Sequence, residues 1–162
     1  MHRTAWMAEQ PDDSPFLQVI DRTVCSFIKN GTHFGFNRKT GFLELAILSR
    51  KCPFELLSAG FQRVISMALD LAWRACVLNP HLGLQATRYT GGVLLLDGPE
   101  LHLEPFWRYQ LVRDLMAAFP SLQLVVTNHD ANDFVSHSFG HIRRLSSSGR
   151  LVGPFTEEEL ED

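Results

Sequence analysis

The sequence predicts an α/β fold in which parallel strands are flanked by helices and preceded by a β-hairpin. Three observations carry this reading. Residues 93–97 and 122–127 are short apolar runs, Val-Leu-Leu-Leu-Asp and Leu-Gln-Leu-Val-Val-Thr, of the kind that form buried parallel strands. Between them, residues 105–119 open on Pro105 and place Phe106, Leu111, Leu115 and Phe119 along a helical segment. Ahead of both, residues 58–78 contain no proline and space Phe61, Val64, Ile65, Ala68, Leu69, Ala72 and Cys76 as the stripe of a long helix.

Strand, helix and strand make a βαβ unit with a right-handed crossover, which brings both strand ends to one edge. Open α/β sheets bind ligands at that edge. The strand at 93–97 is expected to be covered on both faces, with Leu95, Leu96, Leu101 and Leu103 in the core. Met67, Leu71 and Val77 widen the stripe of the long helix, and Asn79-Pro80 stops it before a loop of roughly ten residues. The hairpin joins residues 32–37 to 42–48 through Arg38-Lys39-Thr40-Gly41, with Leu43, Leu45 and Ile47 on one face.

The flanks are less regular. The turn-rich cluster at 11–15 predicts a frayed start, followed by a short helix over 16–29. Beyond residue 129 the pattern suggests a helix over 132–137 and a weak strand pair at 141–145 and 150–152, turning at Ser148-Gly149. The expected organisation is an N-terminal, partly helical segment (1–31), a lobe carrying the chemistry (32–153) and an acidic tail (154–162).

Composition sets bounds on function. A chain of 162 residues with 45% hydrophobic and 20% charged residues suits one globular domain. A net charge of −3 gives no strongly basic nucleic-acid footprint, and Arg143, Arg144 and Arg150 are too small a cluster to supply one. Three cysteines without CxxC spacing read as reduced thiols. With no apolar leader and no apolar run near the ~20 residues of a membrane span, the expectation is a cytoplasmic protein with no membrane partner.

Two positions carry candidate chemistry on their own. Asp97 ends an apolar strand, where a carboxylate can hold Mg²⁺ through water, or can simply cap a turn. Ser58 opens the long helix, where its hydroxyl and the N–H groups near Gly60 can bind an anion, or where Ser58 can act as a plain N-cap. His102 and His129 have no ligand spacing that supports a metal centre.

The continuation sharpens both. Residues 92–105, Gly-Val-Leu-Leu-Leu-Asp-Gly-Pro-Glu-Leu-His-Leu-Glu-Pro, resemble the Walker B and D-loop segment of ABC-type ATPases of the RecF-like, SMC-like and OLD-like AAA groups. Leu57-Ser58-Ala59-Gly60-Phe61-Gln62 resembles their signature loop, and Val125-Val126-Thr127-Asn128-His129-Asp130 their switch loop. The hairpin also falls where these heads carry one. The motifs occur in the family's order over residues 33–135.

The resemblance implies a partial P-loop NTPase lobe like that of an ABC ATPase head. It implies that Leu57, Ser58, Gly60 and Gln62 meet ATP held by an opposite subunit. It places Glu100 at the D-loop acid, Asp97 at the water-mediated Mg²⁺ position and His129 at the switch histidine that senses the γ-phosphate. It also implies a protein partner or second ATPase head, with nucleic acid only indirectly, in settings such as DNA repair or phage defence.

The sequence departs from the family in four ways. No Gly-x-x-x-x-Gly-Lys-[Ser/Thr] loop occurs: Lys39 precedes Thr40, but His33 and Arg38 stand where that pattern needs glycines. Gly98 replaces the glutamate that polarises the attacking water, Phe61 replaces the usual signature glutamate, and Asp130 replaces a serine. Loss of a general base typically costs about 10²–10⁴-fold in rate. ATP and Mg²⁺ are therefore expected only with a partner lobe that supplies the phosphate loop, and autonomous hydrolysis is not expected. A structural or regulatory module derived from the same fold, a gene remnant and a competent ATPase are the alternatives.

Overall fold

A computed structural model describes residues 3–99, 103, 105–128, 143–146 and 148–153. Helices α1 (Arg3–Glu9) and α2 (Pro15–Ser26) come first, then strands β1 (Gly31–Asn37), β2 (Phe42–Ile47) and β3 (Arg50–Pro53). A 3₁₀ turn (Phe54–Leu56) leads into the long α3 (Ala59–Leu78). A second 3₁₀ stretch (Pro80–Gln85) and α4 (Ala86–Tyr89) precede β4 (Gly92–Asp97), α5 (Pro105–Ala118) and β5 (Leu122–Thr127). Short β6 (Arg144–Leu145) and β7 (Leu151–Val152) complete the order.

The expected hairpin forms, and β3 extends it into an antiparallel meander in the order β1-β2-β3. Its turn is set by Asn37, whose Oδ1 accepts the N–H groups of Lys39 at 2.9 Å and Thr40 at 3.3 Å. Gly41 closes it at φ 77°, a backbone angle that glycine adopts without steric cost. β4 and β5 pair in parallel across α5, in register from Gly92 opposite Leu122 to Asp97 opposite Thr127. The weak strand pair is present as β6-β7, antiparallel, within the expected ranges.

The core lies where α2, α3 and α5 meet the meander. Ile20, Val24, Phe34, Leu45, Ile65, Leu111 and Leu115 are fully or almost fully buried there. Leu103 joins them, and Leu94, Leu96, Leu122 and Leu124 pack the inner face of β4-β5 onto the same cluster.

Several expectations need correction. Instead of a frayed start, the N-terminus forms α1, because Met7 is buried in the core and Trp6 meets Trp73 edge to face at 6.5 Å. Arg38 also ties this segment down, donating to Asp12 Oδ1 at 2.8 Å and to the carbonyls of Ala8 and Gln10. The loop after α3 is built of 3₁₀ and α turns, with Ala86 and Thr87 buried. Val77 faces solvent and does not widen the stripe.

The largest correction concerns β4, which is covered on one face only. Val93 and Leu95 are 60% and 72% exposed, as is Val125 of β5 at 46%. Leu95 is therefore not a core residue. Alternation along a strand sends every second side chain to the opposite face, and no described element lies over that face. Among the described residues, no helix is long and apolar enough to cross a membrane.

Candidate ATP-site lobe

The signature-like loop is shaped by its own backbone. Ser58 is the N-cap of α3, with extended φ/ψ of −61° and 156°, and its hydroxyl accepts the Phe61 N–H at 3.5 Å. This is a long, weak cap, and the Ser58 side chain is exposed. Gly60 begins the first turn, and a Cβ there meets only Trp107, at 3.9 Å. Leu57 packs against the core.

Gln62 turns inward. Its amide nitrogen donates to the carbonyls of Phe54 and Glu55, both at 3.2 Å, and of Leu57 at 3.0 Å. It thereby closes the turn that delivers the chain to Ser58, and its N–H donors are committed to that turn. Phe61, the replaced glutamate, rests its ring on Trp107 of α5.

Asp97 ends β4 with an exposed carboxylate. Thr127 Oγ1 donates to Asp97 Oδ1 at 2.5 Å and accepts the Gly98 N–H at 3.0 Å. Gly98 is buried at φ 50°, a left-handed angle disfavoured for any residue with a Cβ. A cleft of about 570 Å³ separates the start of α3 from the tip of β4. Gln62, Arg63, Ser66, Asp97 and Gly98 line it.

The structure thus brings Gln62 and Asp97 to one cleft, while Leu57, Ser58 and Gly60 do not line it. Glu100, His102 and His129 lie outside the described residues, as do Leu101, the helix expected over 132–137 and the acidic tail. Sequence reasoning missed Thr127, Arg63 and Ser66. A hydroxyl closing an apolar strand was the available signal for Thr127. Arg63 and Ser66 join the cleft only through the packing of α3.

The donors suit a hard cation only in part. Asp97 offers one carboxylate and the Thr127 hydroxyl is already committed, so Mg²⁺ needs water and phosphate oxygens for its remaining ligands. Among the described residues no group of three or more His, Cys, Asp or Glu side chains can hold a metal ion.

Comparison with known proteins agrees with this architecture. No family model matches the chain. It is 28% identical over 152 residues to the retron Vc95 probable ATPase of Vibrio cholerae, covering 88% of this chain and 29% of that protein. It is 26% identical over 121 residues to the retron Ec83 probable ATPase of Escherichia coli, covering 72% and 21%. The Septu protein PtuA of Bacillus mycoides is 33% identical over 120 residues, covering 73% and 14%. The chain spans less than a third of the length of each of these relatives. A structure solved in work on ATP-driven dimerization and DNA-stimulated activation of SMC ATPases superposes with a TM-score of 0.60 at 16% identity, covering 99% of this chain and 94% of that one. The chain therefore has the α/β fold of an ABC/AAA-type ATPase lobe and is related in sequence to the retron probable ATPases and to PtuA.

Proposed function

We propose that this lobe completes an ATP site whose phosphate-binding loop comes from another lobe, on a separate chain or elsewhere in a longer polypeptide. The observation that carries the reading is the bare apolar face of β4-β5, formed by Val93, Leu95 and Val125. Parallel sheets are covered on both faces, and a two-stranded sheet is marginal alone. The sequence also lacks a Gly-rich loop ending in Lys and Ser or Thr. A lobe that covers this face and carries such a loop meets both deficits.

In this reading the exposed Ser58 at the positive end of α3 faces the terminal phosphate of ATP held by an opposing head. Glu100 is the D-loop acid, His129 the switch histidine, and Asp97 faces the cation. Mg²⁺, when bound with ATP, neutralises charge on the phosphates. Gly98 supplies no general base, so the chain contributes binding and assembly more than hydrolysis. The kinship with the retron probable ATPases and with PtuA supports an ATPase-type role for the lobe.

The test is to produce the chain with the product of an adjacent reading frame that encodes a phosphate loop and to weigh the complex by light scattering. A complex that forms with ATP and Mg²⁺, and is lost in Ser58→Arg, is expected. Association indifferent to millimolar ATP overturns the reading and favours a structural module, which Gly98 already suits.

A further inference from the structure

Thr127 closes β5 opposite Asp97, the last pair of the parallel register. Its hydroxyl has one proton, given to Asp97 Oδ1 at 2.5 Å, and it accepts the Gly98 N–H at 3.0 Å. One side chain therefore fixes both a carboxylate and the peptide that follows it. The Gly98 N–H, on the peptide that leaves the tip of β4, meets the hydroxyl across the paired strand ends. Threonine suits the position because its β-branch favours a strand and restricts χ1, which holds the hydroxyl in place. Among the described residues Asp97 Oδ2 has no protein partner, and the carboxylate opens to solvent.

We propose that Thr127 is the positioning residue for Asp97, occupying Oδ1 so that Oδ2 is presented to a divalent cation. This rests on the reading of Asp97 as the cation-facing carboxylate. A hydroxyl that only tied two strands together has no need to engage the carboxylate; the Gly98 N–H alone serves for that.

Thr127→Val keeps the shape and strand preference while removing the hydroxyl, and Thr127→Ser restores it. Two NMR readouts on the full chain separate the parts. Amide exchange at Gly98 is expected to rise about tenfold in Thr127→Val, the loss of one hydrogen bond, with Leu96 unchanged and Thr127→Ser close to wild type. Unchanged exchange at Gly98 overturns the proposal.

Mn²⁺ alone, added to millimolar levels, is expected to broaden the Gly98 amide in wild type and Thr127→Ser. The broadening should need several-fold more Mn²⁺ in Thr127→Val and vanish in Asp97→Asn. Equal broadening in wild type and Thr127→Val overturns the positioning role. Broadening absent from wild type, with Gly98 exchange still accelerated in Thr127→Val, counts against the cation reading of Asp97 and supports the strand-tip link by itself.

Discussion

Phe61 and Trp107 meet edge to face, with ring centroids 5.2 Å apart and planes inclined at 78°. The pair joins the first turn of α3 to the first turn of α5, so the signature-like loop and the helix that follows the β4 tip are packed as one piece. A glutamate at 61 leaves that contact unmade. The substitution that looks like a loss of chemistry in the sequence is a gain of packing in the fold.

Phe61→Glu is accordingly expected to destabilise the chain by roughly 1–2 kcal/mol, from lost apolar burial and the aromatic pair. Urea unfolding followed by tryptophan fluorescence measures this. A midpoint equal to that of wild type would show that the ring pair contributes nothing.

Gly98→Glu restores the family's carboxylate in sequence but not in geometry. A Cβ at a φ of 50° costs about 1–2 kcal/mol, so the variant should melt lower than wild type. It should also leave the isolated chain without ATP turnover above background. Hydrolysis by Gly98→Glu that Asp97→Ala abolishes would revive the competent-ATPase reading.

The bare face of β4-β5 and the buried core beneath it should answer differently to substitution. Leu95→Lys lies on the bare face and is expected to change stability by less than about 0.5 kcal/mol while improving solubility. Leu115→Ala, in the buried core, should cost about 2–5 kcal/mol. Denaturation and sedimentation of the two variants side by side check the contrast; a large loss in Leu95→Lys would mean that face is already covered.

Two thiols set an alkaline limit. Burial pushes Cys25 up to about 12, helped by the bond it donates to Asp21 and by that carboxylate's charge, and burial alone pushes Cys76 up to about 11. Both folded values lie above the ordinary 9.0, so the neutral thiol is favoured in the folded chain. The stability this gives is fully present below pH 9 and lost as pH rises through 11 to 12. Cys76→Ala should soften that loss. At pH 8 iodoacetamide should label Cys76 only after denaturation, read by mass spectrometry; rapid labelling of it in the native chain would contradict its burial.

What the sequence determined by itself is local. The stripe of α3, the apolar runs of β4 and β5 and the hairpin are all patterns within a few turns or strands, and the structure contains each of them. Tertiary structure decided whatever depends on a second surface. An apolar run reads the same whether or not something covers it, so Leu94 and Leu95 look alike in sequence, although one packs inward and the other faces solvent. The frayed start became α1 because Met7 found the core. The bonds by which the Gln62 amide nitrogen closes its own turn depend on where the Phe54–Leu57 carbonyls come to lie in the folded chain. Thr127 was legible only as the end of a strand and a member of the switch-like run. Its hold on Asp97 spans 30 positions of chain and exists because parallel pairing sets the two strand tips side by side.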